Sequence, residues 1–491
     1  TLASEVCPEI REYERLSTAC ANAYVRPLMA RYLERLSSEL AELGFNSPFL
    51  LMTSGGGLTT LETAAKFPIR LVESGPAGGA ILAQAVARQA DMKRVLSFDM
   101  GGTTAKLALV DDFTPLTSRS FEVDRVYRFR KGSGLPVRIP VIEMVEIGAG
   151  GGSIAAVDKL GRVQVGPESA GSEPGPAVYG RGGERPAVTD ADVLLGRVVS
   201  DTFAGGALAL DVAAAHAAVG DGVGELLGME DTDAAFAISE MVDENMASAA
   251  RAHAAEFGLD LGSRDMIAFG GAAPLHAVRL GEKLGVRRIV VPTAAGVGSA
   301  VGFLLAPVAY EVVRSRQQAL SALDCGLVNR LMEEMSAEAL DVVRQGAPRQ
   351  VGTGDFTESR QAYMRYAGQG HEITVDLPPG PYTESHADEF RARFERAYHR
   401  LYGRIMESVE IEALSWTLTI TVAGLQGGGA CAGEITAREP QASPLGTQPL
   451  FDPAGRKTVE AHVWLRETLG PGDRVVGPAL ITEAQTTTVV A

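Results

Sequence analysis

Cysteine is scarce. The 491 residues include four, Cys7, Cys20, Cys325 and Cys431, and no two stand at a CxxC or other metal-ligand spacing. They are expected to be reduced thiols, which excludes a disulfide framework. An excess of positive charge is also missing: 45 Lys and Arg against 61 Asp and Glu leave a net charge of -16. That balance argues against a nucleic-acid or anionic-membrane surface. No secretory signal is legible, so a cytoplasmic location is expected. Ile289 to Tyr310 runs uncharged for the length of a bilayer, but Pro292, Gly296, Gly298, Gly302 and Pro307 break it. It reads as a buried strand, a glycine-rich turn and a short helix.

With 46% hydrophobic and 22% charged residues there is material for two or three cores. The 56 glycines fit a loop-rich α/β protein better than a helical bundle. The most informative stretch is Val95 to Asp111, where two apolar runs flank Asp99-Met100-Gly101-Gly102-Thr103-Thr104. Strand, glycine turn and strand make a β-hairpin rather than a P-loop. Two glycines let backbone N–H groups approach an anion, the threonine hydroxyls add donors, and Asp99 is placed to hold Mg²⁺ directly or through water. Taken alone, Gly-Gly-Thr is most simply a tight turn.

A second glycine turn is Ala268-Phe269-Gly270-Gly271-Ala272-Ala273-Pro274-Leu275-His276-Ala277. A strand from Met266 to Phe269 runs into it and a helix opens near Pro274, a residue favoured in a helix's first turn. Gly285 ends that helix before the strand Arg288 to Val291, giving a βαβ unit able to receive a nucleotide at the helix N-terminus. His276 reads as a satisfied packing histidine. A third loop, Gly148-Ala149-Gly150-Gly151-Gly152-Ser153, lies between apolar runs and reads as ordered, with a run of close-approach amides. Val165 to Pro176 is Gly/Pro-dense and reads as loop. Asp190 and Asp192 are expected only to cap the helix beside them.

With these motifs in order, the chain resembles the A-type subunit of the hydantoinase/oxoprolinase family, which includes acetone and acetophenone carboxylase subunits. The matching segments are Asp99–Thr104, Gly148–Ala155, Gly166–Gly171 through Tyr179–Gly183, and Gly270–Ala277. The resemblance implies an α/β fold of actin/heat-shock-chaperone/sugar-kinase-like ATPase lobes followed by a β-rich C-terminal domain. It further implies that Asp99–Thr104 is a phosphate-binding hairpin and Gly270–His276 an adenosine motif. On that basis Asp99, Thr103 and Thr104 are the expected catalytic residues, with Asp99 also the Mg²⁺ ligand. Gly101, Gly102, Lys106, Gly150, Gly151, Gly152, Ser153, Gly270, Gly271, Ala272 and Pro274 are the expected ATP contacts. Alternation along its strand is able to turn Lys106 away from the hairpin turn.

Family members carry another Asp-x-Gly-Gly-Thr hairpin near their N-terminus, whereas this sequence has one, at Asp99. The resemblance thus implies that the family's first domain lies outside the sequence, together with a short C-terminal tail. The expected divisions are 1–91, helical and strand segments completing the first lobe; 92–310, the ATP-binding lobe; 311–425, an α+β domain; and 426–491, a linker and β-rich end. Within them, Glu9 to Leu43 reads as helix with Leu16, Leu28, Leu33, Leu36 and Leu40 apolar-facing, and Gly427 to Arg456 as linker. In the long helix Asp233 to Phe257, Asn245 and Arg251 are candidates to face the cleft. Gly368 to Glu372 reads as a hairpin turn in which His371 or Glu372 has a lesser claim to a site role.

The activity implied is ATP-driven activation of a carbonyl: phosphorylation of a lactam or imide oxygen so that water opens the ring, as in a hydantoinase or 5-oxoprolinase. A ketone carboxylase would use the same step. The family's hydantoinase-type His-Thr before the Gly148 loop is replaced by Val145-Glu146 here, which leans toward the carboxylase. A nucleotide-binding regulatory subunit without chemistry is the remaining alternative. The expected partner is a B-type subunit in a hetero-oligomer.

Overall fold

A computed structural model describes residues 1–126, 132–347, 356–422 and 436–491. Two compact units emerge, and each is assembled from three separate stretches of chain.

The first unit comprises Thr1–Ala77, Thr117–Val141 and Leu304–Gln426. Its six-stranded sheet runs Leu50–Met52, Leu58–Thr60, Val308–Ala319, Ile411–Val422, Phe356–Tyr366, Ile373–Asp376. The helix Cys325–Gly346 lays Val328, Met332, Met335, Ala339 and Val343 on this sheet, the three-to-four spacing of a single helix face. Phe390 and Phe394 of the helix His386–Tyr402 join Trp416 and Tyr366 in the same core. The N-terminal helix Glu12–Glu42 forms as expected, but its leucines do not share a face: Leu33 is buried while Leu16 and Leu28 stand exposed. Glu372 sits in an ion-pair cluster. Its carboxylate is held by Arg138 at 3.0 Å and Arg11 at 2.5 Å, beside the buried Arg119–Glu9 pair at 2.6 Å. His371 is exposed.

The second unit comprises Gly78–Leu116, Ile142–Phe303 and Gly427–Ala491. Its central sheet orders Met144–Ile147, Ala105–Asp111, Arg94–Met100, Asp265–Phe269 and Ile289–Val290. Strands buried on both faces read as continuous apolar runs, and Val95, Leu96, Phe98, Leu107, Leu109, Met266 and Ile267 are all at or near zero exposure. Arg94–Met100 and Ala105–Asp111 form the expected antiparallel hairpin, with Asp99 opposite Lys106. Asp265–Phe269 lies parallel on its other side, placing Phe269 beside Asp99. The helix Asp231–Glu256 covers the sheet with Ile238, Val242, Met246 and Ala250. The uncharged run gives the strand Ile289–Val290 and the helix Gly298–Leu305, and among the described residues no helix is long and apolar enough to cross a membrane.

Two loop expectations are corrected. Val165 to Ser169, expected as part of a loop, belong to the strand Val163–Ser169 paired with Ser153–Val157: Val165 is buried opposite Ala155, and the Gly166-Pro167 signal appears as a register shift before the pairing resumes at Ser169. Gly446–Asp452, expected as linker, is the first strand of a four-stranded sheet with Lys457–Leu465, Ala479–Thr482 and Thr487–Val490. The expected linker's residues before 436 lie outside the described residues. This end sheet is bonded to the lobe: Phe451 N–H donates to the Leu195 carbonyl at 2.9 Å and Gln448 Nε2 to that of Gly196 at 2.6 Å.

Candidate functional site

The two glycine turns meet because their strands are neighbours in the sheet. Met100 ends one strand and Phe269, paired with Asp99, ends its parallel neighbour, so the chain leaves the same end of the sheet at Gly101 and at Gly270. The Ala272 amide donates to the Met100 carbonyl at 2.9 Å, tying the second turn to the first. Gly270 has φ of +100°, and a Cβ there would stand 2.4 Å from the Met100 carbonyl oxygen and 2.7 Å from Asp99 Oδ1. Only glycine fits. Pro274 occupies the first turn of the helix Ala273–Leu284, and Gly285 closes it in the left-handed region.

The Gly148–Gly152 loop acts as a brace. Gly151 and Gly152 donate their amides to the carbonyls of Gly101 and Gly102, at 3.0 and 2.6 Å. The Gly150 amide goes to Ser153 Oγ at 2.8 Å. Of these amides, expected as ligand donors, those of Gly151 and Gly152 hold the hairpin turn and that of Gly150 closes its own loop. A Cβ at Gly150 would meet Gly102 C and Thr103 N at 2.6 Å, so the close approach needs glycine. At Gly101 and Gly102 themselves a Cβ would meet nothing within 4 Å.

Asp99 is half-buried, and its Oδ2 accepts from Ser299 Oγ at 3.0 Å. Burial pushes its carboxyl above the ordinary value of 3.8, against the pull of Ser299 and Lys106. Lys106 stays with the turn: opposite Asp99 in the register, it donates to Thr104 Oγ1 at 2.6 Å and pairs with Glu146 at 3.3 Å. Thr103 is exposed and Thr104 half-buried. No cluster of three or more metal-ligating side chains occurs among the described residues. One desolvated carboxylate beside an open glycine turn fits Mg²⁺, which commonly takes one or two carboxylates and fills its shell with water and phosphate.

A cavity of about 460 Å³ opens over these turns. Gly101, Gly102, Gly151, Gly271 and Ala272 line it, and so do the apolar Val198, Phe203 and Leu275 with Tyr179. Tyr179 and Phe203 stand with ring centroids 5.9 Å apart. A third part of the wall, Glu483 to Thr487, comes from the end sheet. Asn245 and Arg251 do not face this cavity. Asn245 reaches the Val165 carbonyl at 3.4 Å, and Arg251 bonds Glu244 at 2.9 Å and the Lys283 carbonyl at 2.8 Å.

Beneath the wall lies a buried charge network. His276 is fully buried, with Nε2 3.1 Å from Asp192 and Nδ1 2.9 Å from Asp243. Asp192, which also lines the cavity, accepts from Arg197 at 2.9 Å, and Arg197 donates to Ser239 at 2.7 Å. Burial opposes charge on His276, yet the two carboxylates outweigh it and raise the imidazole to about 9. Burial likewise opposes charge on Asp192, but His276 and Arg197 hold it below the ordinary carboxylate range. Asp190 is a cap, accepting from the Ala187 amide at 2.8 Å and the Val178 amide at 2.7 Å; Asp192 is not.

Models of two families match this architecture: hydantoinase/oxoprolinase over residues 15–312 and the hydantoinase/oxoprolinase C-terminal domain over 327–491. The chain belongs to the hydantoinase/oxoprolinase family. Similar to this hydantoinase/oxoprolinase chain is an uncharacterized protein of Methanocaldococcus jannaschii, 34% identical over 99% of the chain and 69% of its own length. The caprolactamase subunit alpha of Pseudomonas jessenii is 30% identical over 99% of the chain and 68% of its own. Its crystal structure, of an ATP-dependent caprolactamase, superposes with a TM-score of 0.81 at 29% identity, covering 99% of this chain and 69% of that one. Nucleotide-free acetone carboxylase superposes equally, TM-score 0.81 at 25% identity, over 99% of this chain and 68% of its own.

Proposed function

We propose that this chain is the A-type subunit of an ATP-dependent cyclic-amide hydrolase, working with a B-type partner, and that the 460 Å³ cavity receives ATP. The observation that carries the reading is the meeting of an open Gly101-Gly102 turn, the desolvated Asp99 carboxylate and the Gly271-Ala272 helix start at one sheet edge. An open turn leaves room for phosphate oxygens, a helix N-terminus favours negative charge, and apolar walls suit a base. The caprolactamase relative supports the hydrolase, and relatives named as subunits support a multi-subunit assembly.

The nucleotide supplies a phosphoryl group that makes the amide oxygen a leaving group. Asp99 would hold Mg²⁺ or its water shell. Lys106, anchored to Thr104, adds positive charge beside the turn. Thr103 is exposed at the turn, where its hydroxyl would be a further donor to phosphate. The Gly150–Gly152 loop keeps the turn's geometry constant, so these groups act mainly by positioning and charge neutralisation.

Gly102→Ala tests the placement of phosphate. Its methyl group would enter open space, so unfolding free energy is expected to change by less than about 0.5 kcal/mol. ATP affinity is expected to fall by about tenfold or more, read by calorimetry beside urea denaturation. Unchanged affinity would put the phosphates elsewhere.

The carboxylase reading is favoured by the carboxylase relatives and, within the site, by Glu146 in place of the hydantoinase-type threonine, ion-paired to Lys106 beside the turn. Phosphate release from ATP and Mg²⁺ by the native complex separates the readings when hydantoin, 5-oxoproline, caprolactam, and acetone with bicarbonate are offered in turn. Release coupled to a cyclic amide is expected. Release only with acetone and bicarbonate would name a carboxylase, and ATP binding without release in any arm would name a regulatory subunit.

A further inference from the structure

The uncharged run from Ile289 ends in glycines to which the nucleotide reading gives no role. Gly298 and Gly302 stand about one turn apart on the helix Gly298–Leu305, and Gly78 and Gly79 lie in the helix Ser74–Gln89. A Cβ at Gly302 would overlap the Gly78 carbonyl oxygen, and one at Gly78 would stand 2.6 Å from the Ser299 carbonyl oxygen. At Gly298 a Cβ would meet Leu82 Cδ2 and Phe269 Cδ2 at 2.9 Å. All of these residues belong to the second unit. The two helices thus touch backbone to backbone, an approach that side chains would prevent. They do so against Phe269, the neighbour of Asp99 in the sheet.

This crossing brings one hydroxyl to the site. Ser299 Oγ donates to Asp99 Oδ2 at 3.0 Å. The same oxygen lies against Gly79, where a Cβ would stand 3.1 Å away. Lys106, although opposite Asp99 in the register, gives its hydrogen bond to Thr104. Ser299 is therefore the one hydrogen-bond donor to this carboxylate among the described residues. The other oxygen, Oδ1, accepts no hydrogen bond among them, and it is not one of the atoms buried without a partner. One oxygen is tied and the other is available.

We propose that Ser299 is the positioning residue of Asp99: its hydroxyl fixes Oδ2, and the glycine crossing fixes Ser299, so that Oδ1 stays available to Mg²⁺ or a water of its shell. The proposal rests on the reading of Asp99 as the Mg²⁺ carboxylate. A group that hydrogen-bonds a metal-binding carboxylate orients it, and losing such a group typically costs about 10–100-fold in metal affinity. Without the hydroxyl, Asp99 keeps its charge but loses its fixed orientation. The glycines of the uncharged run then serve the site at one remove, by letting the helix come close enough to deliver Ser299.

The test is binding of Mn²⁺, a spectroscopic stand-in for Mg²⁺, to the native complex saturated with a non-hydrolysable ATP analogue. Electron paramagnetic resonance reads the free ion. Ser299→Ala is expected to bind Mn²⁺ about tenfold or more weakly than wild type. Ser299→Cys, which keeps the bulk and a weaker donor, should fall between the two, so the proposal does not hang on the folding of one variant. In an Asp99→Ala background, Ser299→Ala should change Mn²⁺ affinity by less than about twofold, because nothing remains to be positioned. A role confined to packing would weaken both backgrounds alike. Wild-type Mn²⁺ affinity in Ser299→Ala, or an equal loss in both backgrounds, overturns the proposal while the reading of Asp99 stands. Wild-type affinity in Asp99→Ala itself overturns both.

Discussion

Asp99→Ala is expected to lower ATP-coupled phosphate release by about 10²–10³-fold or more while leaving the protein folded and no less stable. The two halves of that result have one cause. Burial raises the Asp99 carboxyl above 3.8, which means the folded protein carries the charge at a cost in free energy. Its protein contact on Oδ2 is the Ser299 hydroxyl, and removing the side chain relieves more desolvation than it forfeits in hydrogen bonding. Retaining a charge that weakens the fold makes sense where the charge works on a ligand. The linkage has a definite sign. The folded state binds a proton at Asp99 in the window just above 3.8 where the unfolded state does not, so stability declines as pH rises through that window. Asp99→Asn keeps the shape, loses the charge, and should lose both that decline and the turnover. Urea unfolding across the acid range, with phosphate release on the same samples, checks this. Full turnover in Asp99→Asn would remove Asp99 from the mechanism.

His276→Ala is expected to act in the opposite way, costing about 3–5 kcal/mol of stability because Asp192 and Asp243 would remain buried without the cation between them. The native pair of contacts holds the imidazole at about 9 against an ordinary value of 6.5. A histidine raised in the folded state stabilises fully below 6.5 and loses that contribution as pH rises toward 9. The size of the loss is on the order of 3 kcal/mol. The groups facing it are Asp192, Asp243 and, through Asp192, Arg197. Urea midpoints of the wild type should fall between pH 6.5 and 9 more steeply than those of His276→Ala. Equal slopes would mean that the imidazole is neutral in the folded protein. Asp192 also lines the cavity, so the same network ties the cavity wall to the helices Val188–Leu194, Asp231–Glu256 and Ala273–Leu284.

Much of the site was legible locally. The hairpin at Asp99, the proline-started helix at Pro274 and its glycine stop at Gly285 are each written in a few consecutive residues. Composition likewise pointed to an α/β protein. Two readings failed where a local signal competed with burial. Gly and Pro near Pro167 suggested loop, but Val165 needed a buried face and found it as a strand. Leu16 and Leu28 sat at apolar positions of a helix whose packing face lay elsewhere.

By itself, the sequence determined the secondary elements, the glycine turns and the candidate chemistry at Asp99, because backbone preference and side-chain period act over a few residues. Tertiary structure alone decided that three stretches of chain interleave to make each unit. It also decided that Gly151 and Gly152 spend their amides bracing the turn, that His276 is buried between two carboxylates, and that Glu483 lines a cavity built mostly from residues far earlier in the chain. The physical reason is the same in each case. Desolvation and hydrogen-bond satisfaction depend on which distant groups arrive at a site, and no local pattern carries that information.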